Sequence, residues 1–325
     1  MNLINKGDFL ESYSKVKQRG INYFFSKINP NPQKRTQSTF SLTGTTGSNW
    51  WIITDVKLRE NEKLSGDTQK TFDTYLAENY FQDRIDLKLL SIACGVGNRE
   101  IKMAESGLFK EILGIDLSGE SIKEATRKAK EKKLDNIRFE QADFYLFDLN
   151  QNHYDVILFY SALHHFKHIE QIAQRVSHAL KTDGYLVLNE YVGKNRLQFS
   201  KDQVLKMNQL LEKIPSEYRT RYMTNWLKKK IYVPGLLRMI ISDPSEAVES
   251  ETIRPIIHRN FKIVEEKKIG GDLLMMVLKD IAHHFTNNDD SKSRQILSDL
   301  FQEEDKYLEK VENADFIFGI YQKMK

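Results

Sequence analysis

Cysteine is almost absent: Cys94 stands alone in 325 residues, so no disulfide can form within the chain. No apolar run approaches the roughly 20 residues of a membrane-spanning helix. Residues 1–20 are mostly polar and lack the apolar core of a secretory signal. These absences lead to the expectation of a cytoplasmic protein. An excess of one charge is lacking too. Lys and Arg number 49 against 45 Asp and Glu, a net charge of +4. That is too little, in a chain of this length, to indicate a nucleic-acid partner. No zinc-type Cys/His spacing occurs, so no metal is expected, and there is no internal repeat or low-complexity tract. The chain is 40% hydrophobic and 29% charged, the profile of a globular protein with room for one large domain or two small ones.

What is present centres on Leu87–Glu100. An apolar run, Leu87 to Ala93, feeds a small-residue turn, Cys94-Gly95-Val96-Gly97, and a helix-compatible segment follows. Without Cβ atoms, Gly95 and Gly97 let backbone approach a ligand closely. The helix start behind them offers free N–H groups and a positive dipole end, suited to a carboxylate or a phosphate. A second strand-like run, Glu111 to Ile115, ends at Asp116 and Leu117. In doubly wound folds an acid about twenty residues beyond the glycines holds ribose hydroxyls. A third, Ile137 to Glu140, leads to Gln141-Ala142-Asp143-Phe144. A fourth, Tyr154 to Phe159, runs into Tyr160-Ser161-Ala162-Leu163-His164-His165-Phe166.

In this order and at these intervals the stretch Leu87–Glu190 resembles the class I S-adenosylmethionine-dependent methyltransferases. The resemblance implies an α/β, doubly wound, mostly parallel seven-stranded sheet with an antiparallel last strand. It implies S-adenosyl-L-methionine as cofactor. Asp116 would bind both ribose hydroxyls, with Leu117 beside it. Asp143 would accept from the adenine amino group, with Phe144 beside the ring. Ala93, Cys94, Gly95, Gly97 and the backbone near Tyr160 would hold the methionine part. Two positions depart from the family pattern: Ser91 replaces the usual acid of the first strand, which in the family helps hold the methionyl amine, and Ala93 replaces its first glycine. Cys94 reads as a small loop filler. A nicotinamide-dependent reductase is the nearest competitor, but its fingerprint needs a third glycine where this chain has Glu100.

Residues 1–86 are expected to form an N-terminal helical extension or lid. Helix is expected within Ile4–Lys27, breaks at Pro30, Pro32 and Ser38–Asn49, and a helix over Asp67–Arg84 capped by Asp67. Trp50 and Trp51 either both anchor packing, or one of them closes over a ligand. Residues 87–190 form the cofactor-binding half of the core. Residues 191–241 read as a helical substrate cap, with helices over Asn195–Ile214 and Tyr218–Lys230. Residues 242–325 complete the core. There Asp243-Pro244-Ser245-Glu246 should start a helix, Asp272–Phe285 and Ser293–Val311 should be helices, and Asp315–Tyr321 the last strand.

The candidate catalytic residues are His165 first, then His164, with Glu190 and Tyr191 at the end of the fifth strand. A histidine titrates near neutrality and can take a proton from a hydroxyl or an amine. Within the cap, Arg219 and Arg221 could pair with an anionic acceptor, or the basic face is simply solvated. The resulting expectation is methyl transfer to an oxygen or nitrogen of a small or lipid-linked molecule, with peripheral lipid contact open. A binding module without turnover, or a nicotinamide-dependent reductase, is the alternative.

Overall fold

The most apolar strands of the chain are buried almost along their whole length, as parallel strands covered on both faces must be. They are β1 (Leu87–Ile92) and β4 (Tyr154–Tyr160). In this computed structural model, which describes residues 3–19, 48–82 and 84–324, they lie side by side in a seven-stranded sheet. The other strands are β2 (Phe109–Asp116), β3 (Ile137–Gln141), β5 (Leu180–Tyr191), β6 (Phe261–Lys268) and β7 (Phe316–Lys323), in the order β3-β2-β1-β4-β5-β7-β6. β1 to β5 pair parallel, and β7 runs antiparallel to β5 and β6. Chain order runs outward from β1 to β3 on one side and from β4 to β5 on the other. The loops leaving β1 and β4 therefore diverge and open a crevice at their carboxyl ends. The α/β doubly wound sheet with an antiparallel last strand is thus as expected.

Alternate residues of each strand enter two apolar clusters on opposite faces. One face is covered by α2 (Thr54–Ser65), α3 (Phe72–Tyr80), α4 (Asn98–Glu105), α7 (Lys201–Lys213), α10 (Leu274–Leu278) and α11 (Ser291–Lys310). The other is covered by α6 (Ile169–Ala179) and α9 (Ser250–Asn260). The described helices also include α1 (Lys6–Arg19), α5 (Gly119–Glu131) and α8 (Leu236–Ser242). The expected breaks at Pro30 and Pro32 lie outside the described residues, as does most of the Ser38–Asn49 cluster.

Several local expectations give way to tertiary constraints. The stretch Asp67–Arg84 shrinks to α3, and Asp67 closes only a turn, accepting from the Gln69 N–H at 2.8 Å. Asp243 does not start a helix. Its Oδ1 accepts from the N–H and hydroxyl of Ser245, and Ala247 at φ 45° bars helical continuation until Ser250. The stretch Asp272–Phe285 breaks at Asp280, φ 66°, into α10 and a short 3-10 turn. Arg196 and Leu197, both with positive φ, delay α7 to Lys201, where Ser200 caps it.

The largest correction concerns Tyr218–Lys230, which is not helical. Thr220 and Leu227 form an antiparallel bridge, and Met223 at φ 56° turns the chain between them. Its basic residues are partly interior. Arg221 is ion-paired with Asp280, and both side chains are buried. Lys228, also buried, donates to the carbonyls of Met276, Val277 and Lys279 at 2.6–3.0 Å, so its ammonium closes the C-terminal end of α10. Burial pushes Lys228 down to about 7 despite the attraction of Asp280. Further along, Gln203 of α7 donates to Asp315, just before β7, and to the carbonyl of Asp272, just after β6. This segment therefore packs on the carboxyl edge of β5 and β6. Asp8 of α1 ties on to it through the Gly235 N–H and Arg238.

If Lys228 closes α10 in this way, Lys228→Ala should cost about 2–4 kcal/mol in denaturant unfolding at pH 6, where Lys228 is charged, because three carbonyls lose their shared donor. A change within about 0.5 kcal/mol, as for a solvated lysine, would show that the carbonyls find other partners.

Candidate active site

At the carboxyl end of β1 the backbone turns sharply. Ala93, Gly95 and Gly97 all have positive φ, at 55°, 55° and 70°. Ala93 accepts this at the cost of some strain, which accounts for the glycine usual there. The two glycines serve different ends. A Cβ on Gly97 would meet the Phe139 ring at 2.5 Å, so Gly97 is needed for packing. A Cβ on Gly95 would meet nothing within 4 Å, so Gly95 faces open space. The residues on either side of it in the loop, with the start of the following helix, line a cavity of about 310 Å³: Ser91, Ala93, Cys94, Val96, Asn98, Arg99, Glu100, Lys102 and Tyr160.

Asp116 holds the loops around it. Its carboxylate accepts from the Gly95 N–H at 2.9 Å and the Ser118 N–H at 2.7 Å. A carboxylate offers about four acceptor sites, so two remain for hydroxyls. Leu117 is exposed beside it. Cys94 fills the space over Gly114, and burial together with Glu100 and Asp116 pushes its thiol well up, which leaves it inert. Asp143 accepts from the Tyr145 N–H and caps a turn. Phe144 points into the core, buried against Phe159, Phe166 and the Arg175 guanidinium, so the expectation of its ring beside adenine is corrected.

Two residues not expected from the sequence to be site residues shape the cavity. Arg99 lies 4.3 Å from the Tyr160 ring centroid and pairs with Asp73 at 3.1 Å. Glu100, 2% exposed, accepts from the Ser91 hydroxyl at 2.6 Å. Above them Glu60 of α2 accepts from Tyr160 at 3.3 Å and from Asn189 at 2.8 Å, which brings the N-terminal segment over the same edge. Only tertiary folding reveals Glu60. Glu100 carried a sequence signal, since it stands where a dinucleotide loop needs glycine.

The histidine pair follows β4. His164 donates from Nδ1 to Glu190, and this carboxylate holds it charged, pushing it up to about 9 despite burial. Glu190 is fully committed: besides His164 it accepts from the N–H groups of Ala162, Leu163 and Tyr191 at 2.6–2.8 Å. Tyr191 is buried against Phe316, and its hydroxyl donates to the Lys194 carbonyl. Glu190 and Tyr191, expected as catalytic candidates, are both engaged in internal bonds here. The His165 ring lies 4.1 Å from that of His164, tilted by 43°. Burial and that neighbouring charge lower it, so it stays neutral near pH 7. Its Nδ1 lies 3.2 Å from Ser245 Oγ, which donates to Asp243. Glu246 faces both histidines, and the three residues bring ligand-type atoms within 4.8 Å of one another. The sequence suggested only a helix cap for it.

The expected acceptor residues separate in the same way. Trp50 is buried against Phe316 and the glycine turn at Gly271, whereas Trp51 is half-buried beside it. Arg221 is occupied by Asp280. Arg219 is half-buried, with its Nε unpartnered.

A family model described as a methyltransferase domain matches residues 84–314, more than two thirds of the chain. The chain belongs to this methyltransferase family. Its family and fold are those of class I S-adenosylmethionine-dependent methyltransferases, as the resemblance implied. Among curated proteins it is similar to an uncharacterized methyltransferase, YcgJ of Bacillus subtilis, at 27% identity over 144 residues, 44% of this chain and 54% of that one. The chain thus spans about half the length of the curated relative it matches. Phosphoethanolamine N-methyltransferase 2 of Haemonchus contortus, solved with S-adenosyl-L-methionine, shares the fold. Its TM-score is 0.50 at 14% identity, over 83% of this chain and 57% of that chain. The crystal structure of YcgJ overlaps 77% of this chain and 97% of its own, at 19% identity and a TM-score of 0.42. Among the described residues no helix of the methyltransferase is long and apolar enough to cross a membrane.

The charge on His164 has a consequence for stability. Its folded value of about 9 exceeds the ordinary histidine value of 6.5. The stabilisation is therefore full below about pH 6.5 and is lost as pH rises through about 9, amounting to about 3 kcal/mol. The His165→Gln protein should exceed its His164→Gln derivative by about that much at pH 6, and the gap should close above pH 9. Both proteins carry His165→Gln, because the His164 charge lowers His165 and its loss would shift that titration; Lys228 titrates in both and cancels in the difference. A gap that stays constant with pH in denaturant unfolding would mean that His164 is neutral.

Proposed function

We propose that this chain transfers a methyl group from S-adenosylmethionine to an oxygen or nitrogen of a small or lipid-linked acceptor. The observation that carries this reading is the end of β1, where the glycine loop is tied to the Asp116 carboxylate beside a cavity lined by Arg99, Glu100 and Tyr160. The residues suit that cofactor: Asp116 retains acceptor sites for two ribose hydroxyls, and Gly95 leaves room for close approach. Asp143 keeps its proposed place at the adenine amino group. When bound, the cofactor supplies a methyl group on an electron-poor sulfonium.

The remaining work falls to this chain. His165, neutral and held by the Ser245–Asp243 pair, takes the proton of the acceptor hydroxyl or amine. His164 and Glu190 position it. Glu60, Trp51 and the 191–241 segment exclude water from the crevice. A lipid-linked acceptor is favoured by exposed apolar side chains on the segment, Met223, Trp226, Leu237, Ile240 and Ile241, near exposed Lys229 and Lys230. Tyr13 of α1 stacks on Trp226 at 4.3 Å and extends this surface. Nucleic acid has no comparable support.

Calorimetry with S-adenosylmethionine, followed by an assay for the demethylated product with lipid extracts, tests the reading. Asp116→Ala should weaken binding by about 1.5–3 kcal/mol, since charge-assisted bonds to hydroxyls are lost. Tight binding of a nicotinamide dinucleotide and none of S-adenosylmethionine would overturn it.

A further inference from the structure

We propose that Glu100 receives the α-ammonium group of the cofactor, from a helix, in place of the first-strand acid that this chain lacks. The inference rests on the cofactor reading above and deepens it. Ser91 occupies the strand position where the family usually carries the acid. Its hydroxyl donates to Glu100 Oε1 at 2.6 Å, which holds the carboxylate of α4 against the end of β1. The acid has moved to the helix, and a hydroxyl has taken its place on the strand.

The other carboxylate oxygen decides what this arrangement is for. Glu100 is 2% exposed, lines the cavity, and its Oε2 has no hydrogen-bond partner in the protein. A buried carboxylate oxygen without a donor is costly. Arg99 relieves it only in part: its charge favours the carboxylate, but no N–H of its guanidinium reaches Oε2. Burial accordingly pushes the Glu100 carboxyl up. An ammonium group entering the cavity supplies the missing donor together with a positive charge. Arg99 and the first-turn N–H groups of α4 lie beside it and suit the carboxylate of the same zwitterion. The pair Arg99-Glu100 thus presents opposite charges to the two ends of an amino acid.

The test is calorimetric, on the full chain. S-adenosylmethionine and S-adenosylhomocysteine carry the amino-acid group, and 5′-methylthioadenosine lacks it. Glu100→Gln should weaken the first two by about tenfold or more and leave methylthioadenosine within about twofold. Adding Ser91→Asp to Glu100→Gln, which returns an acid to the strand, should recover part of the loss. Unchanged affinity of Glu100→Gln for all three ligands would overturn the assignment, and so would an equal loss for all three, which marks a structural role. If Glu100→Gln does not fold, the wild type is titrated with a homocysteine analogue lacking the α-amine. A loss of about tenfold or more supports an ammonium site, and equal affinity overturns it. Failure of the wild type to bind any adenosyl ligand would instead refute the cofactor reading itself.

Discussion

Four donors converge on the buried carboxylate of Glu190, and the arrangement of the crevice follows from them. Three are backbone N–H groups, from Ala162, Leu163 and Tyr191, and the fourth is the His164 ring. The carboxylate thereby ties the turn leaving β4 to the end of β5. It fixes where the histidines sit and which of them is charged. The same device recurs along this edge. Asp116 gathers the N–H groups of Gly95 and Ser118. Glu304 gathers those of Gly271, Leu273 and Leu274, and pairs with Arg59. Loop amides that a strand end leaves unsatisfied must find acceptors, and acidic side chains supply them.

This pattern separates positioning from chemistry among similar residue types. Glu190 and His164 neutralise one another, and the charge held on His164 keeps its neighbour His165 neutral. Of two adjacent buried histidines, His164 is hydrogen-bonded to Glu190 and holds the charge, while burial and that charge keep His165 neutral. On the other side of the crevice, Asp116 closes the loops with two amides and keeps lone pairs to spare, which is what the proposed ribose contact requires. Glu100 differs from both in having an oxygen that the fold leaves unmatched.

The sheet and the glycine loop were readable from the sequence because their constraints are local. Strands buried on both faces must be continuously apolar, and a backbone turn at positive φ must carry small residues. The segment beyond β5 was not readable in this way. Tyr218, Tyr222 and Trp226 recur at four-residue spacing, which suits a helix. The conformation is decided elsewhere, by Asp280 pairing with Arg221 and by the α10 carbonyls that draw Lys228 inward. Glu190 and Tyr191 were reasonable catalytic candidates by residue type and place, but sequence does not show how many donors already occupy a carboxylate. Glu100 was visible only as the residue that displaces a glycine. Its contact with Ser91 gives that displacement a positive meaning.

The central claim is that the crevice at the end of β1 is the cofactor site, with its amino-acid end toward α4 and its ribose at Asp116. The most direct measurement is a crystal structure of the full chain with S-adenosylhomocysteine. The account predicts the ribose hydroxyls on the Asp116 carboxylate and the ammonium group within hydrogen-bond distance of Glu100. A ligand bound in another cavity, or bound here with its ammonium group turned away from Glu100, would contradict it.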